Sequence, residues 1–165
     1  MDADLLYRLH APALMRYLVR LTGDAELAAD AVQETFVRLV EQPPRDPRAR
    51  SWLFAVATNV VREQGRTRAR RLALLGRAPA DALVGDGARD PGAELERAER
   101  RRAVSRALAA LSERDRTALL MREEGFSHEE IARAVDTTTK SVGTIIARAL
   151  RKLADELGPG AAEAV

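Results

Sequence analysis

The chain has 165 residues, 46% of them hydrophobic and 32% charged, and a formal net charge of +2. This composition is typical of one or two small soluble helical domains, and the slight charge does not by itself indicate a nucleic-acid partner. The sequence contains no cysteine, which excludes disulfides, thiolate nucleophiles and cysteine-based zinc sites. No apolar run approaches the roughly 20 residues of a membrane span and no signal peptide is evident, so we expect a cytoplasmic protein without membrane insertion.

The first 71 residues carry apolar side chains at helical spacing, and no long alternating pattern predicts a strand. Pro12 fits the first turn of a helix and predicts a break between a short opening helix and the next one. Gly23 is expected to end that second helix, and Asp24 to cap a third. Residues 42–48, QPPRDPR, should form a loop because three prolines fall within five residues. A long fourth helix then begins near Ser51.

The predicted fourth helix has a polar and an apolar side. The polar side holds Ala55, Asn59, Arg62, Arg66 and Arg70, and the apolar side holds Leu53, Val56, Val60 and Gln64. An amide followed by guanidinium groups suits one base edge and several phosphates, although a solvated charged face explains the pattern equally well. Trp52 could stack on a base. Because it begins the apolar side, we expect it to be buried in the core, like Phe54 and Phe36.

The helical pattern dissolves between residues 72 and 91, where glycines and prolines interrupt any helix. The interrupting residues are Gly76, Pro79, Gly85, Gly87 and Pro91. We therefore predict a linker here, followed by renewed helical spacing from Glu94. Two later serine and acid pairs, Ser112 with Asp115 and Ser127 with Glu130, each predict a reciprocal cap at the start of a helix.

The most informative segment is residues 127–153, SHEEIARAVDTTTKSVGTIIARALRKL, which predicts two short helices separated by a tight turn. In this geometry the second helix can lie in the major groove of DNA. Its apolar stripe is predicted to hold Val142, Ile146, Ala149, Leu150, Leu153 and Leu157, and its opposite face Lys140, Ser141, Thr144 and Arg148. Thr137, Thr138 and Thr139 can cap the helix and contact phosphate or base edges. A helical hairpin that merely packs is the alternative.

Three segments resemble, in order and spacing, the extracytoplasmic-function group of bacterial sigma factors. They are DAVQETFVRLVE at 30–41, RSWLFAVATNVVREQGRTRARR at 50–71, and ALAALSERDRTALLMREEGFSHEEIARAVDTTTKSVGTIIARALRKL at 107–153. The resemblance implies an all-α fold of two small helical domains and a transcription initiation factor. It implies a region 2 domain at 1–71, a linker at 72–93, a region 4 domain at 94–157 and a tail at 158–165.

The resemblance also implies partners and site residues. Core RNA polymerase should bind through its β′ clamp helices and β flap, with contacts from Asp30, Gln33, Glu34 and Arg38. The helix after the loop should capture the minus-ten element as single strand, with a base contact from Asn59 and phosphate contacts from Arg62 and Arg66. The minus-thirty-five element should be read as duplex by Ser127, His128, Thr138, Thr139, Lys140, Ser141, Thr144 and Arg148. An anti-sigma factor is a further expected partner.

The chain departs from the family pattern in three places. The family often has basic residues where this chain has Gly143, Thr144 and Ile145, so we expect a weakly charged recognition helix. Asp136 replaces the usual turn glycine, which is acceptable. The loop at 42–50, expected to form the pocket for a flipped minus-ten base, is proline-rich and shorter than usual.

Two rival functions fit parts of the pattern. A conventional helix-turn-helix regulator would bind duplex DNA without polymerase, and an interaction protein would keep the sigma fold without reading promoters. The sequence has no nucleophile and base pair, no phosphate-binding glycine loop and no cluster of metal ligands. We therefore expect neither an enzyme nor a cofactor or metal.

Overall fold

A computed structural model describes residues 2–45, 48–76 and 91–159, which form helices, turns and loops without a strand. The chain divides into two compact units, residues 1–82 and 83–165. The first contains α1 (Ala3–Thr22), α2 (Ala25–Glu41) and α3 (Ala49–Leu74), and the second contains α4 (Pro91–Ala109), α5 (Glu113–Glu123), α6 (His128–Ala134) and α7 (Thr139–Leu157). The all-α fold class is confirmed. Residues 46–47 of the predicted loop, 77–90 of the linker with Pro79, Gly85 and Gly87, and 160–165 of the tail lie outside the described residues.

The first unit is a bundle in which each of the three helices packs against the other two. Tyr17 of α1 and Phe54 of α3 are almost completely buried, with their ring centroids 5.0 Å apart. The Tyr17 hydroxyl lies 2.8 Å from the hydroxyl of Thr58, also buried. This bond satisfies two polar groups inside the core, and so it fixes how α3 rotates against α1.

Local capping explains where the first helices end and begin. Gly23 adopts a left-handed φ of 69° and its amide bonds to the Val19 carbonyl at 2.8 Å, which suits a residue without a Cβ. Asp24 then caps α2 by accepting hydrogen bonds from the amides of Glu26 and Leu27. Both sequence predictions for Gly23 and Asp24 are confirmed. The described residues of the predicted loop, 42–45 and 48, are non-helical.

The predicted break at Pro12 is wrong, because α1 continues through it. Proline cannot donate the helical hydrogen bond to the carbonyl of Arg8, a loss that costs about 3 kcal/mol in a helix interior. Pro12 is exposed, so water can bond to that carbonyl, while Ala11, Leu14 and Leu18 on the inner side are buried. Packing on both sides of the proline therefore outweighs the local cost.

In the second unit, α7 packs against α4, α5 and α6. Its core includes Met121, Phe126, Ile131 and Val142, each with no more than 1% of its surface exposed. The predicted reciprocal cap of α6 is confirmed, since Ser127 and Glu130 bond in both directions. None of the described helices combines the length and apolar character needed to cross a membrane.

The turn between α6 and α7 depends on Asp136. Its φ is 51°, in the left-handed region where aspartate is among the more tolerant residues other than glycine. The amide of Thr137 then reaches back to the Ala132 carbonyl at 2.9 Å. The turn therefore closes without glycine, and α7 begins at Thr139, three residues after Asp136.

Candidate nucleic-acid interface

The polar side of α3 projects outward from the first unit. Asn59 and Arg66 are exposed and Arg62 is half-buried. The Arg62 guanidinium donates to the Asn59 side-chain oxygen at 3.5 Å. The opposite side of the helix lies in the core through Leu53, Phe54, Ala57, Thr58, Val60 and Val61. The amide and the arginines are therefore presented by a helix whose orientation the core fixes.

The three aromatic residues expected in the core are not equally buried. Phe54 has 0% and Phe36 has 8% of its surface exposed, as predicted, whereas Trp52 is only half-buried. Trp52 lies in the first turn of α3, where its amide bonds to the Arg48 carbonyl at 3.2 Å. A large ring at the edge of a small bundle seldom loses all contact with water. The expectation of a buried core tryptophan is therefore wrong, because Trp52 keeps part of its surface in contact with water.

The last turns of α3 extend the basic surface. Every residue from 66 to 71 is exposed. Arg68 forms an ion pair with Asp24, and the other oxygen of the same carboxylate caps α2. Sequence analysis missed this pair, because its partners are 44 residues apart. Arg68 thus ties the basic end of α3 to the start of α2.

The four residues expected to bind polymerase separate into two pairs on α2. Asp30 and Gln33 are exposed, and Glu34 and Arg38 are half-buried. Arg38 donates to Glu34 at 2.7 Å and to Glu63 of α3 at 3.2 Å, and these bonds raise the pKa of the guanidinium. Arg38 therefore links α2 to α3.

Two valines missed by sequence analysis lie on the outward face of α2. Val37 is 51% and Val40 is 68% exposed, and they continue the face of Asp30 and Gln33 at helical spacing. An open groove of about 360 Å³ between α1 and α2 includes Gln33 in its lining. Helical spacing alone could have assigned the valines to this face, but it could not show that nothing in the described first unit covers them.

Ser127 acts as a cap within the second unit. Its hydroxyl donates to Glu130 at 2.9 Å, and its amide donates to the same carboxylate oxygen at 2.8 Å. A carboxylate therefore occupies the position that a phosphate would need beside this hydroxyl. His128 is exposed at the start of α6, and a Cβ at Gly143 would lie 3.9 Å from its Cε1 atom. The imidazole is thus brought beside the glycine of α7.

The exposed face of α7 includes half of the eight residues predicted to contact duplex DNA. Thr139, Lys140, Thr144 and Arg148 are exposed, and Ser141 is half-buried. Thr138 is the N-cap residue, but its hydroxyl lies 2.8 Å from that of Ser141 and makes no side-chain cap bond. Thr138 therefore occupies the predicted cap position but does not make the cap hydrogen bond.

The apolar stripe of α7 is shifted from its predicted position. The buried residues are Val142, Ile145 and Ala149, whereas Ile146 is half-buried and Leu150 is 50% exposed. Neighbouring positions on a helix differ by about 100°, so spacing could not decide between two adjacent isoleucines. Ile145 thus belongs to the core, so the lack of a basic residue at this position does not affect the exposed face. On the exposed face, only Gly143 and Thr144 stand where the family often has basic residues.

Arg148 is exposed on α7 but bonds to the buried Asp115 of α5. Its guanidinium donates from Nε to Asp115 Oδ2 at 2.8 Å and from Nη2 to Oδ1 at 2.5 Å. These bonds lower the pKa of Asp115 and raise that of Arg148. From the sequence, Arg148 is predicted to face DNA and Asp115 to take part in the cap of α5. Only the Ser112 half of that reciprocal cap forms, through the Asp115 amide.

Comparisons with known proteins agree along the chain. Residues 6–71 match the family described as Sigma-70 region 2, and residues 101–153 match Sigma-70, region 4. The chain is 36% identical over 162 residues to the ECF RNA polymerase sigma factor SigL of Mycobacterium tuberculosis, covering 93% of this chain and 89% of SigL. It is 30% identical over 173 residues to the RNA polymerase sigma-H factor of Pseudomonas aeruginosa, covering 94% and 86%.

A solved structure has a similar fold. The sigma factor RpoE from Bartonella quintana, in complex with the anti-sigma factor NepR, superposes with a TM-score of 0.76 at 22% identity. The superposition covers 93% of this chain and 95% of that chain. No group of three or more histidine, aspartate or glutamate side chains in the described parts of the chain could hold a metal ion.

Proposed function

The chain belongs to the extracytoplasmic-function sigma factors of the sigma-70 family, and we propose that it reads the minus-ten element as single strand and the minus-thirty-five element as duplex. It is a sigma factor that directs transcription initiation by RNA polymerase, and it is not an enzyme. We call residues 6–71 region 2 and residues 101–153 region 4.

The outward side of α3 carries the proposed single-strand contact. Asn59 is exposed between the buried Thr58 and Val60, so the bundle fixes the backbone from which its amide projects. Capturing a flipped base costs a few kcal/mol, which a rigid site can offset because it is not reorganised on binding. Arg62 and Arg66 follow along the same side and would bind the adjoining phosphates. This placement of an amide and two arginines is the observation that carries the proposal.

Region 4 would read duplex DNA with α7. Thr139, Lys140 and Thr144 are exposed near the N-terminus of α7, the end from which recognition helices contact base edges. The cap residues Ser127 and Thr138 bond within the unit. We therefore propose that region 4 anchors a polymerase-bound chain and binds duplex only weakly by itself.

The outward face of α2 would bind the β′ clamp helices of polymerase. Asp30 and Gln33 supply polar contacts there, and the exposed Val37 and Val40 supply apolar area that an interface would bury. The Arg38 ion pairs would hold this face in place against α3. The β flap is proposed as the second polymerase contact, with region 4.

An anti-sigma factor is the proposed regulator, and the complex of RpoE with NepR supports such a partner. It would silence the chain by covering the α2 face and the basic side of α3. The proposed compartment is the cytoplasm, where polymerase acts.

In vitro transcription with core polymerase tests the proposal on DNA of the source genome. We expect specific transcripts from the wild-type chain. A chain that binds core polymerase without starting any transcript would instead be an interaction protein. Tight binding of a duplex site by the chain alone would favour a conventional helix-turn-helix regulator.

Asn59→Ala should weaken promoter recognition. A base contact contributes about 1–3 kcal/mol of discrimination, so transcription should fall about tenfold or more and the minus-ten preference should change, with core binding intact. Thr67→Ala is the matched control, because Thr67 is exposed on the same helix. Promoter-variant transcription measures the preference, and an unchanged preference in Asn59→Ala rejects the base contact.

A further inference from the structure

Asp115 is a buried carboxylate that does not complete the cap of its own helix. It lies in the first turn of α5 with 6% of its surface exposed. Its amide donates to the Ser112 hydroxyl at 3.1 Å, while both carboxylate oxygens accept hydrogen bonds from Arg148 of α7. A buried carboxylate without such a partner would be costly, so the pair is needed for α5 and α7 to pack as they do.

The pair gives α7 an orientation that its apolar contacts do not define. Val142, Ile145 and Ala149 bury α7 against its neighbours, but hydrophobic burial is non-directional. A guanidinium that donates from Nε and Nη2 to the two oxygens of one carboxylate meets it in a defined plane. Because Asp115 and Arg148 are 33 residues apart, this bond ties the middle of α7 to the start of α5.

The charge of Arg148 is compensated where it lies. Asp115 carries the opposite charge at 2.8 Å from its Nε atom, so a nearby phosphate meets a pair with little net charge. The Arg148 side chain is itself 54% exposed, so the ion pair, and not burial, distinguishes it from Lys140, which is exposed in the first turn of α7. Two cations on the same helix are thus placed for different tasks.

We propose that Arg148 is a positioning residue, which through Asp115 sets the rotation of α7 for promoter reading, and that it is not a phosphate contact. This inference rests on the proposed duplex reading by α7. It predicts whether one substitution, Asp115→Asn, strengthens or weakens DNA binding. If Asp115 merely restrained a phosphate-binding arginine, Asp115→Asn would free the arginine and strengthen DNA binding. If the pair positions α7, the same substitution weakens binding.

The test uses holoenzyme assembled from core polymerase and the full-length chain. The probe is a duplex promoter fragment recovered by transcription of the source genome, and binding is measured over a series of KCl concentrations. Asp115→Asn, Arg148→Met and the double variant should each weaken binding by a similar factor, about tenfold, with an unchanged salt slope. Lys140→Met is the matched control and should reduce the slope by about 0.9, as expected for one lost phosphate contact.

Either of two results overturns the proposal: stronger binding by Asp115→Asn, or a slope reduced by about 0.9 in Arg148→Met. The double variant removes both charges together and leaves no unpaired buried carboxylate. If a single variant does not fold, the salt dependence of binding is therefore measured with the double variant.

A measurement without DNA separates this proposal from the proposed function. Urea unfolding of the four proteins in the double-mutant cycle should show coupling of about tenfold in the unfolding constant. A coupling factor near one in the unfolding constant would overturn the positioning role of Arg148. Wild-type holoenzyme that starts no transcript overturns the proposed function and leaves the coupling result unaffected.

Discussion

Region 2 and region 4 present their proposed DNA contacts in different ways. In region 2, Asn59 and Arg66 are exposed on one side of α3, whose other side forms the core. In region 4, three of the side chains predicted to contact DNA bond to neighbours within the unit. They are Ser127 with Glu130, Thr138 with Ser141, and Arg148 with Asp115. Helical spacing therefore selects a face, but the internal hydrogen bonds of each side chain, whether within its own helix or to another helix, decide which groups on that face have donors or charge left for a ligand.

The difference indicates that the two regions contribute differently to promoter binding. Region 2 offers a row of arginines on a rigid helix, which suits strong electrostatic capture of a strand. Region 4 offers a helix whose orientation is fixed by its own polar bonds but whose exposed N-terminal turn has one cation, Lys140. We expect region 4 to contribute little to promoter affinity and to act mainly by orienting the polymerase-bound chain on the DNA.

The largest effect is expected from Phe54→Ala in region 2. Phe54 is fully buried against Tyr17, and removing such a ring costs about 3–5 kcal/mol. Because α3 presents the proposed single-strand contacts, transcription should fall to background as the bundle unfolds. Urea unfolding followed by tryptophan fluorescence measures the loss, since Trp52 is the chain's one tryptophan.

Phe36→Ala tests whether this loss depends on the degree of burial. Phe36 is 8% exposed and packs edge-on against the half-exposed Tyr7, so its removal should destabilise region 2 less than that of Phe54. Equal losses of stability for both variants would show that the loss does not follow the degree of burial.

The sequence predicted what local chemistry determines. The left-handed glycine at 23, the cap at Asp24 and the reciprocal cap of Ser127 with Glu130 each involve residues only a few positions apart. Pro12 was misjudged because its local cost is outweighed by packing along the whole of α1.

Pairs between distant segments could not be predicted. Arg68 with Asp24 and Arg148 with Asp115 join residues 44 and 33 positions apart. No local pattern indicates such pairing, and it changes which arginines are left for DNA. The choice between Ile145 and Ile146 as the buried residue likewise required the neighbouring helices.

A gain of function in region 4 is the next expected effect. Gly143 is exposed on α7, and an added Cβ would make only an ordinary contact, 3.9 Å from His128. Gly143→Lys should strengthen duplex binding by holoenzyme and steepen its salt slope by about 0.9. Filter binding over a KCl series measures both quantities.

Gly143→Ala is the control for this gain. Replacing a helix-interior glycine stabilises a helix by about 1 kcal/mol without adding charge, so the control should raise stability and leave the salt slope unchanged. A lysine variant with the wild-type slope would show that position 143 does not face phosphate. The affinity of region 4 for duplex DNA would then not depend on the charge at position 143.

The smallest effect is a difference in acid sensitivity between the regions. Burial, and then the charge of Arg50, lower the pKa of His10 in region 2 below 6.5. The folded state thus binds this proton more weakly than the unfolded state, and region 2 should lose stability as the pH falls below 6.5. In region 4 the bonds from Arg148 lower the pKa of Asp115 below 3.8, so the stability it contributes persists above 3.8 and is lost only below that value.

Thermal unfolding between about pH 7 and pH 5 can separate these two windows. Trp52 fluorescence reports region 2 alone, because region 4 contains no tryptophan. Its midpoint should fall by a few degrees at most with decreasing pH, and His10→Gln should flatten the decline. Asp115→Asn should leave this decline unchanged, because Asp115 lies in region 4, which Trp52 fluorescence does not report. A decline that persists in His10→Gln would assign the acid sensitivity of region 2 to another group, and the two regions would then differ in their exposed surfaces but not in their titration.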